Sequence, residues 1–225
     1  MCGRVILTLS AKMIKQILAE EYDIKQLNID DFVPRYNIGP GQELLSIISN
    51  NTEYRSGYLN WRFIPKWAKS QNEGYKYINA RSETVHEKVT YKDSFKIRRC
   101  LVICNGFYEW QRENQEKKPF LFQKKDEKVI TIAGIWTPQY LDDGSKEYGV
   151  SLLTTKSNEV MAPIHHRMPV IIKPEDSKKW LDTQTKLEDL QSMMTPIHKD
   201  FLNTYEVNKQ VNNIRNQDVT CIKKK

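Results

Sequence analysis

Short apolar runs bounded by turn residues recur along this chain, and helices of ten or more residues do not alternate with them. The runs fall at 44–48, 58–63, 101–104, 129–135, 150–154, 168–172 and 205–207, each with the length of a strand. A parallel βαβ sheet would require helices of ten or more residues alternating with its strands, and the pattern does not show that alternation. The pattern predicts a single α+β domain over residues 1–225. Its centre is expected to be a curved, mostly antiparallel, barrel-like mixed β-sheet flanked by a few helices. Neither a Ser/Gly-rich linker nor an internal repeat divides the chain.

Residues 4–7 read as a short strand. Ser10 is placed to cap a helix running through Tyr22, with Ile14, Ile17, Leu18 and Tyr22 on one face. Further helical stretches are expected at 83–88, 92–98, 177–182 and 186–194. Pro34, Gly39, Pro40 and Gly41 crowd the stretch 28–41 with breakers, so it is expected to hold no regular element and to serve as a connector or the wall of a site. The last stretch, 208–225, closes on Lys223-Lys224-Lys225 and is expected to be a basic, flexible tail.

Thirty-five Lys and Arg against 28 Asp and Glu leave a formal charge of +7, a bias toward polyanions such as nucleic acid. No apolar run approaches the roughly 18 residues of a membrane helix. Met1-Cys2-Gly3-Arg4 has neither the order nor the length of an export signal, and glycine in third place excludes N-myristoylation. These features point to a cytoplasmic protein whose four cysteines are free thiols.

Several segments could carry chemistry. Cys2 follows the initiator Met1, whose removal would create a terminal 1,2-aminothiol. A chain amine has a pKa near 7.7–8.0 against about 10.4 for lysine, so at neutral pH it can attack an aldehyde where lysine mostly cannot. The resulting Schiff base can close through the thiol to a thiazolidine. Asn79-Ala80-Arg81-Ser82-Glu83-Thr84 is either a strand end followed by a helix cap, or an amide and a guanidinium for a polar, phosphorylated substrate. Glu109, between Tyr108 and Trp110, is either solvent-facing or a desolvated carboxyl suited to acid–base work. Cys100 and Cys104 share a strand face as core thiols, with a zinc site involving His165 the lesser alternative. In Pro163-Ile164-His165-His166-Arg167 a strand-like backbone would send adjacent histidines to opposite sides, so that one at most faces a given site. Trp61-Arg62-Phe63-Ile64-Pro65-Lys66-Trp67-Ala68-Lys69 interleaves aromatics with cations, either as core with solvated charges or as a path for single-stranded nucleic acid. His86 and His198 have no comparable setting.

Four of these motifs stand in order and register: Met1-Cys2-Gly3-Arg4, Asn79 to Thr84, Arg99-Cys100-Leu101-Val102 with Gly106-Phe107-Tyr108-Glu109-Trp110, and His165-His166-Arg167-Met168-Pro169. Together they closely resemble the SOS-response-associated peptidase family, whose members cross-link abasic sites. Supporting segments at 35–40, 64–68 and 133–136 extend the resemblance to about residue 172. It implies a curved sheet with a positive groove that takes single-stranded DNA to the N-terminal cysteine, without cofactor or metal. Cys2 then corresponds to the residue whose amine and thiol condense with the ring-opened aldehyde, and Asn79 to the one holding the opened sugar. Glu109 corresponds to the carboxylate assisting ring opening and imine chemistry, and His165 to the histidine near the phosphate and leaving group. Arg4, Arg81 and Arg167 correspond to basic residues around the phosphates, Pro40 and Trp67 to groove-lining residues that help splay the strand. The chain departs from the family pattern at Ile103-Cys104-Asn105, at Gly39 in place of alanine, at Arg62 in place of glycine and at His166 in place of an acidic residue. That last change lets His166 stand in for His165 if the loop register shifts.

Three activities fit. The first is covalent capture of abasic sites in single-stranded DNA by a monomer, with β-elimination at the Schiff base as a competing lyase outcome. The second is a thiol peptidase with Cys2 as nucleophile and His165 as base, able to remove its own leader. The third is a noncovalent single-strand binder, indifferent to Cys2→Ala and strongly salt-dependent.

Overall fold

The apolar runs pair into two sheets. The computed structural model describes residues 2–25, 27–68, 70–113, 116–141 and 143–225. Its strands are β1 (Arg4–Leu7), β2 (Arg35–Ile38), β3 (Glu43–Ser49), β4 (Tyr54–Asn60), β5 (Asn79–Arg81), β6 (Arg99–Cys104), β7 (Gly106–Glu113), β8 (Glu116–Lys124), β9 (Ile130–Tyr140), β10 (Lys146–Lys156), β11 (Arg167–Pro169), β12 (Ile171–Ile172) and β13 (Leu202–Glu206). The helices are α1 (Ala11–Tyr22), α2 (Lys92–Ile97), α3 (Ser177–Leu181) and α4 (Leu187–Met193).

In the larger sheet β10, β4, β3, β6 and β9 pair in that order, and β9 pairs back onto β10 to close a five-stranded barrel. Closure leaves no edge among these five strands. The contacts of β10 with β4 and β5 are parallel and the rest of this sheet is antiparallel, so the expected barrel-like, mostly antiparallel α+β domain is what forms. The smaller sheet, in the order β13-β8-β7-β1-β2, is antiparallel throughout.

Every residue of β6 is buried, because the barrel lies on one side and helices on the other. Arg99 is tolerated there because its guanidinium donates to the carbonyls of Phe95, Lys96, Trp180 and Asp182, at the ends of α2 and α3. Helix α1 begins where the sequence predicts: Ser10 Oγ accepts from Met13 N–H at 3.3 Å, and Ile14, Ile17, Leu18 and Tyr22 face the core. Asp23, in the left-handed region at φ 53°, ends it.

Four expectations are overturned. Residues 83–88 form successive turns in place of a helix; the Ser82 N–H is drawn to Thr154 O at 2.8 Å, continuing the pairing of β5 with β10. The stretch 28–41 contains β2, because its prolines flank Arg35–Ile38 and leave that backbone able to pair with β1. The run expected at 58–63 is shifted, β4 being Tyr54–Asn60. The segment 208–225 is no flexible tail: Val211 and Cys221 are fully buried, Val207 bridges to Lys224, and buried Asn37 donates to three of the segment's carbonyls. Polar composition concealed a strap whose backbone is hydrogen-bonded rather than solvated. Among the described residues no helix is long and apolar enough to cross a membrane.

Candidate active site

The two sheets meet at the N-terminus. Met1 lies outside the described residues, as does Lys69 at the end of the aromatic–cationic segment. Cys2 leads into β1, which lies between β2 and β7. Glu109 stands one residue past the Arg4–Tyr108 pair of β1 and β7, level with the start of the chain. From the barrel side, Asn79 opens β5 beside Leu152 of β10, and its Nδ2 donates to the Cys2 carbonyl at 2.9 Å. Asn79 Oδ1 is buried and accepts no hydrogen bond from the described residues, so an acceptor is held ready beside Cys2.

Cys2 has no exposed surface and Glu109 is 3 % exposed. Burial pushes the Cys2 thiol well above the usual cysteine range, and the neighbouring Glu109 and Cys104 push it further. His165 is shifted down, chiefly by burial, against the opposing pull of Glu109. Its Nδ1 lies 3.0 Å from Arg167 N and 3.1 Å from Arg167 O, so the backbone of Arg167 orients the ring. Cys2, Asn79, Glu109 and His165 thus converge, two from the small sheet, one from the barrel and one from the loop before β11.

Beside this cluster runs a groove of about 890 Å³, lined by two of its members, Glu109 and His165, and by Arg4, Arg112, Lys117 and His166. Both histidines face it: their rings stack at 4.5 Å with 24° between planes. The expectation that they point apart fails because Ile164 and His165 both donate to Met161 O, so the backbone turns there instead of extending. The arginines separate. Arg4 lies in the groove wall, 5.8 Å over the Trp110 ring. Arg81 is exposed at the end of β5. Arg167 is buried, its guanidinium clasping both oxygens of Glu83 and the carbonyl of Thr154. Pro40 is half-buried in the turn after β2. Trp67 is 50 % exposed, edge-on to Tyr77 at 5.7 Å, and borders a second hollow of about 230 Å³.

Sequence reasoning missed Trp110 as a groove residue, and with it Arg112, Lys117 and Asn212. Arg112 and Lys117 pair across the β7–β8 hairpin, whose second strand shows no period of two in its sequence. Cys100 and Cys104 are both buried in β6, and among the described residues no group of three His, Cys, Asp or Glu is placed to hold a metal ion.

The family model for the SOS response associated peptidase (SRAP) matches residues 1–214. The chain is 36 % identical over 232 residues to the abasic site processing protein YoqW of Bacillus subtilis, covering 99 % of each. It is 31 % identical over 266 residues to the abasic site processing protein HMCES of Xenopus tropicalis, covering 99 % of this chain and 78 % of that one. A crystal structure of a Bacteroides thetaiotaomicron protein superposes over the full length of both chains with a TM-score of 0.86 at 24 % identity, a likeness of fold.

Proposed function

The chain belongs to the SOS response associated peptidase family, and from that premise we propose that it processes abasic sites in single-stranded DNA by covalent capture at Cys2. The observation that carries this reading is the enclosure of Cys2 by Asn79 and Glu109. Once Met1 is removed, the Cys2 amine adds to C1′ of the ring-opened sugar and expels water, giving a Schiff base. Sγ then bonds to C1′, the thiol proton passes to the nitrogen, and the thiazolidine is closed. Glu109 and His165 are the groups placed to carry protons in ring opening and imine formation. Asn79 Oδ1 accepts from a sugar hydroxyl, and Arg4, with Arg81, receives flanking phosphates. Arg167 acts by holding Glu83 and Thr154 at the end of β5, beside Arg81.

The direction of the thiol shift favours this order of events. A peptidase needs its cysteine as thiolate, in surroundings that lower its pKa, whereas burial and Glu109 act the other way on Cys2. An amine-first reaction uses the thiol only after the aldehyde is bound. The Schiff base also acidifies the neighbouring C2′ proton, so strand cleavage competes until the ring closes.

The test is to incubate protein having a verified Cys2 terminus with a single-stranded oligonucleotide carrying one abasic site. A denaturant-stable adduct is expected, with the mass of protein plus DNA less one water, and absent in Cys2→Ala. No adduct, or an equal one in Cys2→Ala, overturns the reading.

A further inference from the structure

The segment 207–217 does more than pack against the small sheet. Arg4 Nη1 donates both to Asn37 Oδ1 and to Val211 O, the latter at 2.8 Å. Asn37, with no exposed surface, turns its Nδ2 toward the carbonyls of Val211, Asn213 and Asn216 at 3.1, 3.0 and 3.1 Å. Gln217 Nε2 returns to Asn37 O at 2.6 Å. On the groove side, Trp110 Nε1 donates to Asn212 Oδ1 at 2.7 Å, and both residues line the wall. Gly39 completes the fit: a Cβ there would lie 2.5 Å from Ile214 Cδ1 and 3.1 Å from Arg4 Nε. The small residue next to β2 is matched to what lies over it.

We propose that this strap is a wall of the DNA groove, and that Asn37 is a positioning residue coupling the docked strap to Arg4. One nitrogen of the Arg4 guanidinium is committed to Asn37 and Val211, which fixes the plane of the group and leaves its other donors for a phosphate. A guanidinium held in this way loses less side-chain freedom on binding than a free one. The bond from Trp110 to Asn212 fixes the indole beneath Arg4 by the same strap. Arg4 and Trp110 meet Cys2 and Glu109 only through their backbone, whereas the strap holds their side chains, so the coupling acts on DNA affinity and not on bond formation. The inference rests on the capture reading only for the identity of the ligand.

Its test uses the whole chain and an oligonucleotide carrying a tetrahydrofuran abasic analogue, which has no aldehyde and cannot be captured. By fluorescence anisotropy, Asn37→Ala is expected to bind about ten-fold more weakly than wild type. In an Arg4→Gln background the same substitution should cost less than about two-fold, because its effect runs through Arg4. With a true abasic site, the DNA concentration giving half-maximal adduct rate should rise about ten-fold in Asn37→Ala, while the rate at saturation stays within about two-fold. A folded Asn37→Ala that binds like wild type overturns the proposal, as do losses that simply add in the double variant. Should Asn37→Ala fail to fold, Gln217→Ala decides: about three-fold weaker binding supports the coupling, and wild-type affinity overturns it. The anisotropy arms hold even if wild type forms no adduct, so failure of the capture reading and failure of this inference are separate results.

Discussion

The wall of the barrel and the seam at Cys2, where barrel and small sheet meet, handle buried polar groups differently. In the barrel wall Arg99 and Thr131 are tied to backbone, Arg99 to four carbonyls of helix ends and Thr131 Oγ1 to Ile172 O at 2.7 Å. At the seam, Glu109 bears on the Cys2 thiol, and Asn79 Oδ1 is buried with no donor among the described residues. Groups bound to backbone are finished with folding, whereas groups that oppose each other retain capacity for a substrate. Stability and reactivity should therefore separate when each region is altered.

The largest effect on stability is expected inside the barrel wall. Leu101, fully buried and paired with Ile47 and Ala133, leaves a cavity as Leu101→Ala, and unfolding in urea should show a loss of about 3 kcal/mol. The adduct rate of the molecules that remain folded should be unchanged; a matching loss of rate would break the separation. At the seam the reverse is expected. Glu109→Gln keeps the shape and removes the proton acceptor, so single-turnover adduct formation should slow by about a hundred-fold, with a melting temperature at or above that of wild type. A large drop in melting temperature with unchanged rate would instead make Glu109 a structural group.

The smallest effect tests the clasp behind Arg81. Hydrogen bonding from Arg167 holds the Glu83 carboxyl below its usual range. A depressed folded pKa means that this stabilisation is complete above the unfolded value of about 4.3 and is lost as pH falls through the folded value. Because the Glu83 side chain is 40 % exposed, the contribution is about 1 kcal/mol or less. Glu83→Gln should lower stability by that amount at pH 7 and by less near pH 3, measured by chemical denaturation. An equal loss at both pH values would show that the ion pair is not its source.

The barrel was readable because closed sheets leave signatures in apolar runs of strand length, and α1 because Ser10 and a one-sided apolar face coincide. Residues 116–124 were not, since Lys117 and Lys118 stand side by side before Pro119 and a short apolar run, so no period of two shows on a strand half open to water. The strap was misread for a related reason: its order comes from backbone carbonyls meeting Asn37, and composition does not record backbone partners. The histidine pair shows the limit of periodicity, which applies to strands and fails where Met161 O draws two successive N–H groups into a turn. Cys2, Asn79, Glu109 and His165 were visible as motifs far apart in sequence; their convergence depends on β1 and β5 meeting at one seam.

In the proposed reaction Cys2 acts through its amine and its thiol together. The measurement that tests it most directly compares two preparations, one beginning at Cys2 and one carrying an uncleaved extension before it, each mixed with the same single-stranded abasic oligonucleotide and read by intact mass. The extended chain retains every side chain of the site but lacks the free amine. Adduct at protein plus DNA less one water is expected for the chain beginning at Cys2, and none for the extended chain. Equal adduct from both would place the chemistry on the thiol alone and contradict it.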